Sequence, residues 1–74
     1  MGELRILDHT GDQKVIWDPA KDDEVEAARD TFNKLKKKGY MAYRVDKKGN
    51  KSERMDEFDE EAGKVILAPL ARGG

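Results

Sequence analysis

Seventy-four residues allow one domain, and a chain of this length buries only about 60% of the surface its unfolded form exposes. Fifteen lysines and arginines face sixteen aspartates and glutamates, a net charge of −1 that argues against bulk electrostatic capture of nucleic acid even though 42% of the residues are charged. Cysteine is absent, which excludes a disulfide framework, a thiolate nucleophile and a thiolate metal site; with no apolar stretch of signal-peptide or membrane-span length at the N-terminus, the expectation is a soluble cytoplasmic protein.

The first two elements are predicted strands. Glu3 to Asp8 puts Leu4 and Ile6 on one face, and Gln13 to Asp18 puts Val15 and Trp17 on one face. His9-Thr10-Gly11-Asp12 between them is short and contains a glycine that can take the positive φ of a tight turn, so the pair reads as a hairpin. Asp18-Pro19 ends the second strand, because proline has no ladder donor.

A helix follows. Asp22 or Asp23 is its expected cap, with Glu26 three residues beyond Asp23 at capping-box spacing. Acidic residues crowd its first turn and Lys34 to Lys38 its last, as the helix dipole favours. Val25, Ala28, Phe32 and Leu35 make one apolar stripe, and Gly39 stands where a helix ends in the left-handed conformation.

Tyr40 to Val45 is a predicted third strand with Met41, Tyr43 and Val45 as its core face. Asp46 to Lys51 is a polar turn around Gly49. Ser52 to Phe58 is read as a poorly buried edge strand, and Asp59 to Gly63 as a loop or a single helical turn. Val65-Ile66-Leu67 is apolar on consecutive positions, the pattern of a buried central strand. The right-handed crossover rule then sets the first and last strands side by side and parallel in the middle of a mixed sheet, with the helix on one face.

Beyond that strand the chain reads Pro69-Leu70-Ala71-Arg72-Gly73-Gly74. The element order and this ending resemble the ubiquitin-like β-grasp family, an α+β fold of ββαβ(β)β order. Ubiquitin ends in Arg-Gly-Gly preceded by leucine, and the prokaryotic sulfur carriers end in Gly-Gly, often with a proline shortly before. The likeness covers the whole chain in topology and only its last residues in motif. It implies a β-grasp domain over residues 1–70 and a flexible tail over 71–74. It further implies that an ATP-dependent activating enzyme adenylates the Gly74 carboxylate, which is passed to lysines of target proteins or converted to a thiocarboxylate by a sulfur donor. In that scheme the chain binds no cofactor of its own, the ATP being the partner's, and is a monomeric substrate rather than an enzyme. Arg72, Gly73 and Gly74 are the expected activation tail, and glycine there lets the backbone thread a narrow channel. Arg72 leans toward the modifier branch. Tyr40, Ala42 and Arg44, taken as the outward residues of the third strand, and Leu70 form the expected contact patch for the activating enzyme.

Other clusters have simpler readings. His9 with Asp8 and Asp12 lacks the converging donors of a metal site. The lysines at 34–38, 47, 48 and 51 read as a solvated helix end and turn, with little aromatic interleaving for base stacking. The acids from Asp56 to Glu61 read as a solubilising loop, because a chain this small has no cleft to hold a sugar between paired carboxylates. The competing functional readings are an adaptor of the same fold that is never conjugated and, behind it, a small nucleic-acid-binding domain.

Overall fold

In a computed structural model, residues 1–8 and 11–69 are described. The elements are β1 (Gly2–Asp8), β2 (Gly11–Trp17), α1 (Asp22–Lys37), β3 (Tyr40–Val45), β4 (Lys51–Met55) and β5 (Lys64–Pro69). They build an α+β domain in which one helix packs on a five-stranded mixed sheet of order β2-β1-β5-β3-β4. β5 is central. It runs parallel to β1, with Leu4 beside Val65 and Ile6 beside Leu67, and antiparallel to β3, with Ala42 beside Leu67. The expected pairing of first and last strands is therefore present.

The register explains the core. Ile6, Leu67, Ala42 and Met55 lie in one row across four strands, and all four are buried. Leu4 and Val65 belong to the next row, and Trp17 lies further along the same face; Leu4, Val65 and Trp17 are each fully buried. Val25, Ala28 and Phe32 of α1 close over this face, with Leu35, Val15, Tyr40 and Phe58 packed around them. Trp17 lies so close over Gly2 that a Cβ there would overlap its ring, so Gly2 is a packing requirement.

Two local expectations are corrected. Asp22 and Asp23 do not cap α1, and no capping box joins Asp23 to Glu26: the N-cap is Lys21, which makes no side-chain cap bond. Glu24 instead reaches back to accept the Asp18 backbone N–H at 2.9 Å, and the Asp18 side chain accepts the Ala20 N–H at 3.0 Å. The Asp18-Pro19 turn thus docks the helix start without a conventional cap. At the other end Gly39 has φ +98°, as its position past the last turn requires. β4 is shorter than expected, ending at Met55. Phe58 is not in a strand; it folds in against Trp17 (centroids 5.1 Å) and Phe32 (5.7 Å). Among the described residues, no helix is long and apolar enough to cross a membrane.

Candidate docking face and the root of the 70–74 segment

The third strand is turned over relative to its sequence reading. Ala42 is fully buried and Tyr40 packs against the core, so neither is available for the outward contact patch expected of them. The cause is register. β3 takes its facing from β5, and Ala42 is locked beside the inward Leu67. Met41, Tyr43 and Val45, the larger and more apolar set, consequently lie on the uncovered face.

Arg44 is on the helix side as well. Its Nη2 donates to Asp59 Oδ2 at 2.8 Å, while its Nε is buried without a hydrogen-bond partner. The loop that Asp59 belongs to is also fastened by Trp17 Nε1, which donates to the Glu60 carbonyl at 3.1 Å, and by burial of Ala62. Arg44 is thus tied to the 56–63 loop on the helix side, not on the outward face expected of it. Around it is a concavity of about 510 Å3 whose lining mixes Arg29, Arg44 and Arg54 with Glu53, Glu57 and Asp59, leaving no dominant sign of charge to select a ligand.

The uncovered face can be read row by row. Arg5 is beside Ile66, which is beside Tyr43, which is beside Arg54. Ala68 is beside Met41, and Val45 beside Lys51. Leu7, Met41, Tyr43, Val45, Ile66 and Ala68 are half-buried, an apolar band over which no element among the described residues lays a second layer. Its rim is charged with both signs: Lys64 is beside Glu3, Arg54 is held by Asp56 (3.5 Å) and Arg5 by Glu3 (3.9 Å) and Asp12 (3.7 Å), with Lys14 and Lys51 further along it. Lys51 Nζ sits 5.1 Å from the centre of the Tyr43 ring, within cation–π range.

β5 carries this band to the edge of the described structure at Pro69, which pairs with Tyr40. Proline offers no ladder donor, and it is the last described residue of the strand. Leu70, Arg72, Gly73 and Gly74, and the domain boundary placed at residue 70, lie outside the described residues. Asp8, Lys38 and Gly39 mark the same end of the molecule, because β1 runs parallel to β5 and β3 antiparallel to it. What the arrangement offers chemically is a central strand with an apolar face beside it, running to Pro69 at one end of the sheet. Among the described residues no group of three histidine, cysteine or carboxylate side chains converges as a metal would need.

The uncovered apolar face was missed from sequence because both alternating sets of β3 contain apolar residues; only the consecutive apolar run of β5, whose odd and even members serve opposite faces, hinted at a second apolar surface. Comparison with protein-family models, with curated proteins and with solved structures finds no match for this chain.

Proposed function

We propose that this protein is a ubiquitin-like modifier or sulfur carrier of the β-grasp type, worked on by an ATP-dependent activating enzyme. The observation that carries the reading is the position of β5: the strand leading to Leu-Ala-Arg-Gly-Gly is the central one, parallel to β1. A strand held on both sides gives the following segment a fixed origin, so that the glycines can enter a partner's active site while the domain docks beside it. Gly74 is the acyl donor in this scheme, as the chain's end or once anything beyond it is removed. Its carboxylate attacks the α-phosphate of ATP and pyrophosphate leaves. A partner thiol or a sulfur donor then displaces AMP, giving a thioester that lysine amines can attack or a thiocarboxylate. The chain supplies no catalytic group to these steps.

The contact face in this reading is the uncovered one, with Ile66, Met41 and Tyr43 replacing Tyr40 and Ala42, and with Leu70 still a candidate beside Pro69. A second reading, an adaptor that is never conjugated, is favoured by the apolar band alone. Deleting Gly73 and Gly74 separates the two. Tryptic digests of cells expressing the intact chain should contain lysines bearing the Gly-Gly remnant left after Arg72, or the intact chain should gain the mass of one oxygen exchanged for sulfur. The truncated chain should give neither. Absence of both products from the intact chain, with partner capture unaffected by truncation, would leave the adaptor reading standing.

A further inference from the structure

The charges along β2 are not balanced within one chain. On the uncovered face Lys14 stands directly beside Arg5, and like charges opposite one another on a ladder repel. Asp12, next on the same face, reaches Arg5 at 3.7 Å, whereas among the described residues Lys14 has no carboxylate within ion-pair distance. β2 is also an edge strand, seven residues long and in unbroken register with β1. Because Asp8 and Gly11 close a two-residue connection, ladder alternation turns the backbone N–H and C=O groups of Asp12, Lys14 and Ile16 to the open side. The other edge, β4, is five residues long and its pairing with β3 is interrupted between Tyr43 and Val45, which blunts it against strand pairing.

The strand is complementary to itself in one register. Antiparallel pairing of two copies across a two-fold axis normal to the sheet keeps each face on its own side, so the axis passes through a residue. An axis at Asp12 or at Lys14 sets a charge against itself, and one at Val15 sets Asp12 against Asp18. An axis at Ile16 calls on the Asp18 main chain, whose N–H is already held by Glu24 at 2.9 Å and whose carbonyl accepts from Lys21 at 2.9 Å. An axis at Gln13 sets Asp12 of each copy against Lys14 of the other and Gly11 against Val15. On the helix side Gln13 lines a notch of about 330 Å3 between the sheet and the last turns of α1, which leaves room beside the strand.

We propose that β2 pairs with β2 of a second copy of this chain about an axis through Gln13, giving a continuous ten-stranded sheet with five strands from each copy. The two Asp12–Lys14 pairs exchange their main-chain hydrogen bonds across the axis, and their side chains bring a carboxylate to the lysine that has none in the single chain. The axis also carries the notch of one copy to that of the other. Lys34 and Lys38 of both copies line it, and because they are exposed, solvent and salt screen their repulsion. Pairing along one short edge buries less than the roughly 1,200 Å2 of a standard interface, so the dimer is weak and concentration-dependent. Both uncovered faces lie on the same side of the joined sheet, and the two copies of β5 run in opposite directions, which sends their Pro69 ends apart. The dimer does not use the diglycine, so its failure and that of the modifier reading are separately visible.

The test is a dilution series of the full chain, isotope-labelled, from about 2 mM to about 0.02 mM, with translational diffusion measured alongside. Amide shifts should change with concentration at Asp12, Gln13 and Lys14, equally with and without Gly73-Gly74, and diffusion should slow at the top of the range. Asp12→Lys and Lys14→Asp, each with its fold checked by the same spectrum, should each weaken self-association about tenfold or more, since like charges then meet twice across the axis. Mixing the two variants, one labelled and one not, should restore pairing, because every contact across the axis is again between unlike charges. The Asp12→Lys/Lys14→Asp double variant should pair with itself for the same reason. Shifts and diffusion independent of concentration, shifts confined to β4 or to the Tyr43–Ile66 face, undiminished association of Asp12→Lys, failure of the mixture to recover, or loss of association with the diglycine would each overturn it.

Discussion

The two faces of the sheet carry comparable amounts of apolar side chain but differ in how far water has been removed. On the helix side Leu4, Trp17, Ala42, Val65 and Leu67 are fully buried; on the other side Met41, Tyr43, Val45 and Ile66 remain partly accessible although they alternate with those residues in the same strands. The difference is that α1 covers only one of them. Apolar content therefore does not identify the core of a small sheet; coverage does. The face left uncovered has the composition of a contact surface, an apolar centre within a charged rim.

The sharpest way to break this comparison is to remove the helix's main anchor. Phe32→Ala should destabilise by about 3–5 kcal/mol, since a fully buried ring is lost and a cavity remains. For a domain whose total stability is on the order of 5–10 kcal/mol, urea titration should find a much lower midpoint or no folded baseline. Tyr43→Ala, an aromatic truncation on the other face, should cost about 1 kcal/mol or less. Equal losses at the two positions would mean that the faces are equivalent.

Adjacent residues on β3 give a finer version. Ala42→Leu inserts volume into a row already filled by Ile6, Leu67 and Met55 and should cost about 1–3 kcal/mol, while Met41→Leu should be nearly neutral. The opposite result would restore the facing expected from sequence. Gly2→Ala sharpens the same boundary at its margin. The added Cβ overlaps the Trp17 ring, but Gly2 begins β1, so the strand's first residues can lift away. The expected loss is about 1–2 kcal/mol, accompanied by faster amide exchange at Glu3, whose N–H bonds the Gly63 carbonyl at 3.1 Å.

These contrasts also show what was legible beforehand. The helix stripe was readable because Val25, Ala28, Phe32 and Leu35 obey a single period, and β5 because three consecutive apolar residues have few other uses. The facing of β3 was not. Its two alternating sets, Tyr40-Ala42-Arg44 and Met41-Tyr43-Val45, differ mainly in size, and facing is inherited from pairing with β5, a long-range property. Ala62 was equally hidden, since an irregular loop has no period to betray an inward side chain; for Phe58 the error lay in the element, a strand that ends at Met55. The uncovered apolar face could not be drawn from sequence because it exists only once the register has aligned Ile66 with Tyr43 and Ala68 with Met41.

The smallest expected effect concerns the loop that seals the core on the covered side. Arg44 and Asp59 meet at 2.8 Å with their side chains 41% and 40% exposed, so solvent screens the pair and its worth is at most about 1 kcal/mol. Arg44→Ala alone would overstate it, because the aliphatic stem also covers apolar surface. A double-mutant cycle with Asp59→Ala removes that error and should give a coupling of about 0.5 kcal/mol, reduced at 1 M salt. A second readout distinguishes a loop clamp from a simple surface pair. The segment holding Asp59 also carries the Glu60 carbonyl that accepts from Trp17 Nε1 and the Phe58 ring that packs at a tilt against Trp17. Releasing Arg44 should therefore raise the access of a quencher to Trp17 fluorescence, whereas breaking the exposed Arg54–Asp56 pair, at 3.5 Å, should leave it unchanged. A zero coupling, or an indole indifferent to both substitutions, would mean that aromatic packing holds the loop without help from Arg44.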